Sequence, residues 1–88
     1  MEGLSKLKDL MYLNMGLNNI SVIEGLDGCE SLVKFDLTCN FVEVWNLEKS
    51  LRNMQHLALL EELYMMGNPC MDWAPAVDLI LAMLPQLK

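Results

Sequence analysis

Few residues in this 88-residue chain could carry covalent or acid–base chemistry. Its single histidine, His56, stands between Gln55 and Leu57, and no motif sets a serine or cysteine beside it. Cys29, Cys39 and Cys70 are spaced ten and thirty-one residues apart and form no CxxC pair. A structural zinc site needs about four thiolate or imidazole ligands at close spacing, so no metal is expected. Small thiols, buried or half-buried in a reducing cytosol, are expected instead. Asp36 and Glu62 could form a carboxylate pair on a shared face, but an open surface offers little desolvation to shift either pKa. No G-x-x-x-x-G-K-S/T loop or G-x-G-x-x-G turn is present to cradle a phosphate. The expectation is a non-enzyme without a cofactor.

Charge narrows the partners. Twelve acidic against six basic residues give a net charge of −6. Duplex nucleic acid and anionic membrane surfaces both need a basic footprint, so neither is expected as a partner. The longest apolar run, Leu79 to Leu84, is far shorter than the ~20 residues of a membrane span. The stretch from Met1 to Lys6 lacks the pattern of a secretory leader. With 53% apolar and 20% charged residues the chain has the material for one folded domain.

Those few polar residues must be positioned by a repeat. Leu10, Leu13, Met15, Asn18 and Ile20 return twenty-two residues later as Leu32, Phe35, Leu37, Asn40 and Val42. Twenty-eight further on, Leu60, Leu63, Met65 and Asn68 fall in the same places. Each unit reads L-x-x-L-x-L-x-x-N and is led in by apolar residues at steps of three: Leu4-Leu7, Leu26-Cys29 and Met54-Leu57. Steps of three suit a tight 3-10 turn with one apolar edge, while L-x-L suits a short strand with one buried face. The closing Asn can pair backbone groups that the turn would orphan, which predicts an inward ladder of Asn18, Asn40 and Asn68. One unit cannot bury its own apolar face, but stacked units share a continuous core. The extra residues between Phe41 and Leu60 place Leu47, Leu51 and Met54 at i, i+4 and i+7, predicting an α-helix with Asn46 as N-cap. Val77, Ile80, Leu81 and Leu84 predict a second helix near the C-terminus, buried on that face.

This pattern resembles the leucine-rich repeat family, in its short 22-residue class. The resemblance implies an α/β solenoid, with a short parallel sheet on the concave side and helices or 3-10 turns on the convex side. Gly67-Asn68-Pro69-Cys70 with Leu84-Pro85-Gln86-Leu87-Lys88 resembles the C-terminal cap of that class. The expected division is repeats over 1–66 and a cap over 67–88. The cap helix carries Ala76-Val77 where the family often has Tyr-Arg. The chain stops at Lys88 where the family usually continues with Leu-Asp, so it reads as a fragment of a longer protein or a truncated paralogue.

Strand alternation sets the outward residues. In rows across the sheet they are Tyr12-Lys34-Glu62, Asn14-Asp36-Tyr64 and Gly16-Thr38-Met66. Tyr12, Asn14, Lys34, Asp36, Thr38, Glu62, Tyr64 and Met66 are therefore the candidate partner-binding residues, with the tyrosines as anchors. The alternative for this face is that Lys34 and Glu62 are merely a solvated cross-strand pair. Met11, Met54, Met65 and Met83 fall in or near apolar repeat positions and are expected in the core. The first unit lacks a cap, so self-association through the Tyr12–Gly16 edge strand is a further expectation.

Gly28-Cys29-Glu30-Ser31-Leu32-Val33-Lys34-Phe35-Asp36-Leu37-Thr38-Cys39-Asn40-Phe41 and Glu62-Leu63-Tyr64-Met65-Met66-Gly67-Asn68-Pro69-Cys70 carry a narrower likeness. They resemble the tilB-homolog family of leucine-rich repeat proteins, cytoplasmic assembly factors for the axonemal dynein arms of cilia and flagella. That resemblance implies a protein-binding scaffold whose partners are dynein assembly factors, chaperones or dynein chains. The family's coiled coil and CS-type domain have no counterpart in this sequence. Alternative readings are a phosphatase-regulatory or cytoskeletal leucine-rich repeat protein, or a purely structural capping fragment.

Overall fold

A computed structural model describes residues 3–4 and 7–88. Met1, Glu2, Ser5 and Lys6 lie outside the described residues, and with them most of the stretch read above for a leader. Each sequence unit supplies one three-residue strand: β1 (Tyr12–Asn14), β2 (Lys34–Asp36) and β3 (Glu62–Tyr64). The strands pair in parallel in that order, with Tyr12 opposite Lys34, Lys34 opposite Glu62, Asn14 opposite Asp36 and Asp36 opposite Tyr64. Two helices, α1 (Val44–Arg52) and α2 (Ala76–Met83), and a 3-10 helix at Pro69–Asp72 complete an α/β arrangement.

The step-of-three leucines have a hydrogen-bonding cause. Leu7, Leu10, Cys29, Leu32, Leu57, Leu60 and Leu87 each donate a backbone N–H to the carbonyl three residues earlier. Each lead-in is thus a chain of tight turns that keeps every third side chain on the core side. Leu26, Cys29, Leu32, Phe35 and Leu37 of the second unit are fully buried, as are Met54, Leu57 and Leu60 of the third. The matching Leu4, Leu10, Leu13, Met15 and Ile20 of the first unit are only half-buried. They form the outer layer of the packing, with a neighbour on one side alone among the described residues.

Both helices differ in detail from the expectation. α1 begins at Val44 behind an extended Glu43, which makes no side-chain cap, so Asn46 lies inside the first turn. Its buried side carries Leu47, Ser50 and Leu51, while Met54 falls beyond the helix yet is still buried and opens the next lead-in. On the solvent side Arg52 pairs with Glu48 one turn away. α2 buries Ala76 and Ile80, followed by Leu84, whereas Val77 and Leu81 are more than half exposed. The helix is apolar on nearly every side, so its pattern could not select a face; small Ala76 marks the side of close approach.

Candidate interaction surface

Asn40 and Asn68 join successive units through their backbones. Asn40 Oδ1 accepts from Ile20 N at 3.0 Å, and its Nδ2 donates to Met15 O at 2.9 Å and Leu37 O at 3.0 Å. Asn68 repeats the arrangement on Val42 N, Leu37 O and Met65 O. Both side chains are buried. Asn18 departs from the predicted ladder. It is exposed, and its amide bonds only Met15 O and Gly16 O of its own turn. No earlier strand lies beside β1 to offer the cross-unit partners that bury the other two.

The outward rows form one polar, aromatic face. Tyr12, Glu62, Tyr64 and Met66 are exposed; Lys34, Asp36 and Thr38 are partly so, and Asn14 is exposed beside Asp36. A shallow concavity of about 440 Å³ lies among Tyr12, Leu13, Asn14, Lys34, Asp36 and Glu62. Lys34 and Glu62 stand directly opposite each other but form no ion pair with one another. Lys34 instead sets its ammonium 5.3 Å from the centre of the Tyr64 ring, and Tyr64 Oη donates to Glu62 Oε1 at 2.6 Å. A cation over a ring face and a charge-assisted hydrogen bond replace the simple pair. Asp36 Oδ1 accepts from both Thr38 N at 2.9 Å and Thr38 Oγ1 at 2.6 Å. Asn14 Oδ1 accepts from Gly16 N in the same way.

These contacts fix the charge on the face. The Thr38 hydroxyl and amide, helped by Lys34, hold the Asp36 carboxyl below its usual range. The hydrogen bond to Glu62 pushes the Tyr64 phenol up. At neutral pH the face therefore presents a fixed carboxylate and a protonated phenol, each held by a neighbour in one orientation. Such a surface can recognise another surface by shape and charge. Among the described residues, no three His, Cys, Asp or Glu side chains lie close enough to share a metal ion. Burial raises the thiol pKa of Cys29 and Cys70, whereas Cys39 is exposed instead of buried. Met54 and Met65 lie in the core, but Met11 faces solvent.

Four polar residues that the repeat pattern did not single out hold the opposite side together. Ser50 Oγ accepts from Ile23 N, and Asn53 Nδ2 donates to Ile23 O. His56 Nε2 lies 3.0 Å from Leu26 O, and Gln86 Nε2 donates to Leu57 O. The extra length of the third unit brings three of these back onto Ile23 and Leu26, which spacing within a single unit does not reveal.

No family model matches the chain. It is 48% identical over 87 residues to Dynein axonemal assembly factor 11 of Mus musculus, an alignment covering 99% of this chain and 18% of that protein. The protein of the same name from Trypanosoma brucei brucei is 46% identical over 88 residues, covering 99% of this chain and 22% of its own length. The chain is homologous to these proteins from end to end. It spans about a fifth of the length of the curated relatives it matches.

Proposed function

We propose that this chain is a non-catalytic protein-binding module of leucine-rich repeat type that serves the assembly of axonemal dynein arms. The identity of 46% and 48% along its whole length to two proteins named for dynein assembly carries the reading. In this reading residues 1–66 are repeats of a short solenoid, residues 67–88 are its cap, and the outward sheet face is the binding surface. Tyr12 and Tyr64 supply contact area at low conformational cost, and Lys34, Asp36 and Glu62 set orientation and partner choice. Asn14, Thr38 and Met66 complete the contact face. Its partners are dynein chains, other assembly factors or chaperones, met in the cytoplasm of cells that build cilia or flagella. No helix among the described residues is long and apolar enough to cross a membrane.

Affinity capture with the chain from ciliated cells and from matched non-ciliated cells tests this. Dynein arm chains or their assembly factors should be enriched from the ciliated extract alone. Recovery of one and the same phosphatase or cytoskeletal set from both extracts would replace the dynein reading with a general binding role.

A further inference from the structure

The chain's two tryptophans take no part in the outward sheet face. Trp45 stands five residues after Asn40, and Trp73 five residues after Asn68, so they hold equivalent places in successive units. Trp45 is 77% exposed, Phe41 55% and Trp73 40%, with Val44 also at the surface. Large aromatic side chains left this open are costly in water and are enriched at binding hot spots. Cross-unit hydrogen bonds tie this flank together: Phe41 N donates to Ile20 O, Val42 N to Asn68 Oδ1 and Cys70 N to Val42 O.

We propose that this flank is a second docking surface, distinct from the sheet face, for a Lys- and Arg-bearing amphipathic helix of another protein. The same hydrogen bonds decide the shape of the occupant. With those backbone groups already paired, the flank has little edge on which to add a strand, so the occupant must satisfy its own backbone, as a helix does. Charge decides its sign. Glu43 and Asp72 stand beside the aromatic residues, and neither is in an ion pair among the described residues. Both carboxylates lie near enough to the buried Cys70 thiol to help hold it protonated. Lys49 shares the Trp45 side of α1 one turn on and Arg52 is engaged by Glu48, so the two carboxylates still outnumber the free cation among the described residues of this flank. An incoming Lys or Arg can meet Glu43 and Asp72 while its stem or guanidinium covers an indole face.

Trp45 and Trp73 are themselves the probes. The chain is titrated with a tryptophan-free 18-residue Leu/Lys amphipathic helical peptide, the matching Leu/Glu peptide, and phosphatidylcholine vesicles, while tryptophan emission is recorded. A saturable blue shift is expected with the Leu/Lys peptide only. Trp45→Ala, read through Trp73, and Phe41→Ala should each weaken binding about tenfold, as loss of an anchor does. The pair Glu43→Gln with Asp72→Asn should also weaken it and flatten its salt dependence. Tyr64→Ala should change nothing, which separates this surface from the sheet face. An equal shift with the Leu/Glu peptide or with vesicles overturns the proposal. So does undiminished affinity in both aromatic variants, or a blue shift that the chain alone develops with concentration, which would assign the flank to a second copy.

Discussion

Asn40 and Asn18 are the same residue at the same place in successive units, yet only Asn40 has a neighbouring unit on the side its amide reaches toward. Asn40→Ala would orphan the half-buried Ile20 N–H and take one of two amide donors from each of Met15 O and Leu37 O, and should lower stability by about 1–3 kcal/mol in urea melts. Asn18→Ala removes only exposed bonds within one turn and should stay within about 0.5 kcal/mol. Equal losses at the two positions would mean that Asn18 is buried by contacts beyond those described. Asp36 offers a second residue-scale test. Its folded pKa is lowered, chiefly by the Thr38 hydroxyl, so its stabilising contribution is complete above the unfolded value of about 3.9 and is lost as pH falls through the folded one. In a carboxyl-carbon NMR titration Thr38→Val should move Asp36 up toward the ordinary carboxylate range. An unchanged midpoint would remove Thr38 as the cause.

The turn after each strand repeats as strictly as the strand. Leu17, Cys39 and Gly67 each precede an Asn of the repeat, and their φ angles are 59°, 60° and 82°. This turn needs a left-handed residue, and only the third unit supplies glycine for it. A Cβ on Gly67 would lie 2.8 Å from Cys39 Sγ and 3.2 Å from the Cys39 backbone. Gly67→Ala should therefore cost about 1–3 kcal/mol in denaturant melts, from backbone strain joined to that close approach. A neutral result would show that the turn can relax. The strands and their register were legible in the sequence because alternation and a repeated Asn leave one solution. The helices were legible only in part: Leu47, Leu51 and Met54 are buried as spaced, but α1 starts behind a Glu that carries no cap. α2 is apolar almost all round, so Val77 and Leu81 could not be told from its buried side. Nor did spacing give the partners of Lys34, whose ammonium chose the Tyr64 ring two strand positions along on β3 over the carboxylate directly opposite.

Across the whole molecule, burial rises from the first unit to the second. The half-buried first unit and fully buried second predict faster amide exchange at Leu13 and Met15 than at Phe35 and Leu37 in dilute solution. Uniform protection across the two would mean that the outer edge of β1 is covered, for example by a second copy. The central claim is that the outward sheet face binds a component of dynein-arm assembly. It is tested most directly by Tyr64→Ala in affinity capture from ciliated cells, with the melting temperature measured alongside. Tyr64 touches Lys34 and Glu62 at the surface and fills no core position. Its loss should weaken capture by about 2 kcal/mol, some thirtyfold, while the melt stays nearly unchanged. Undiminished capture by Tyr64→Ala, together with loss of capture by Trp45→Ala, would contradict the account and move the principal binding site to the aromatic flank.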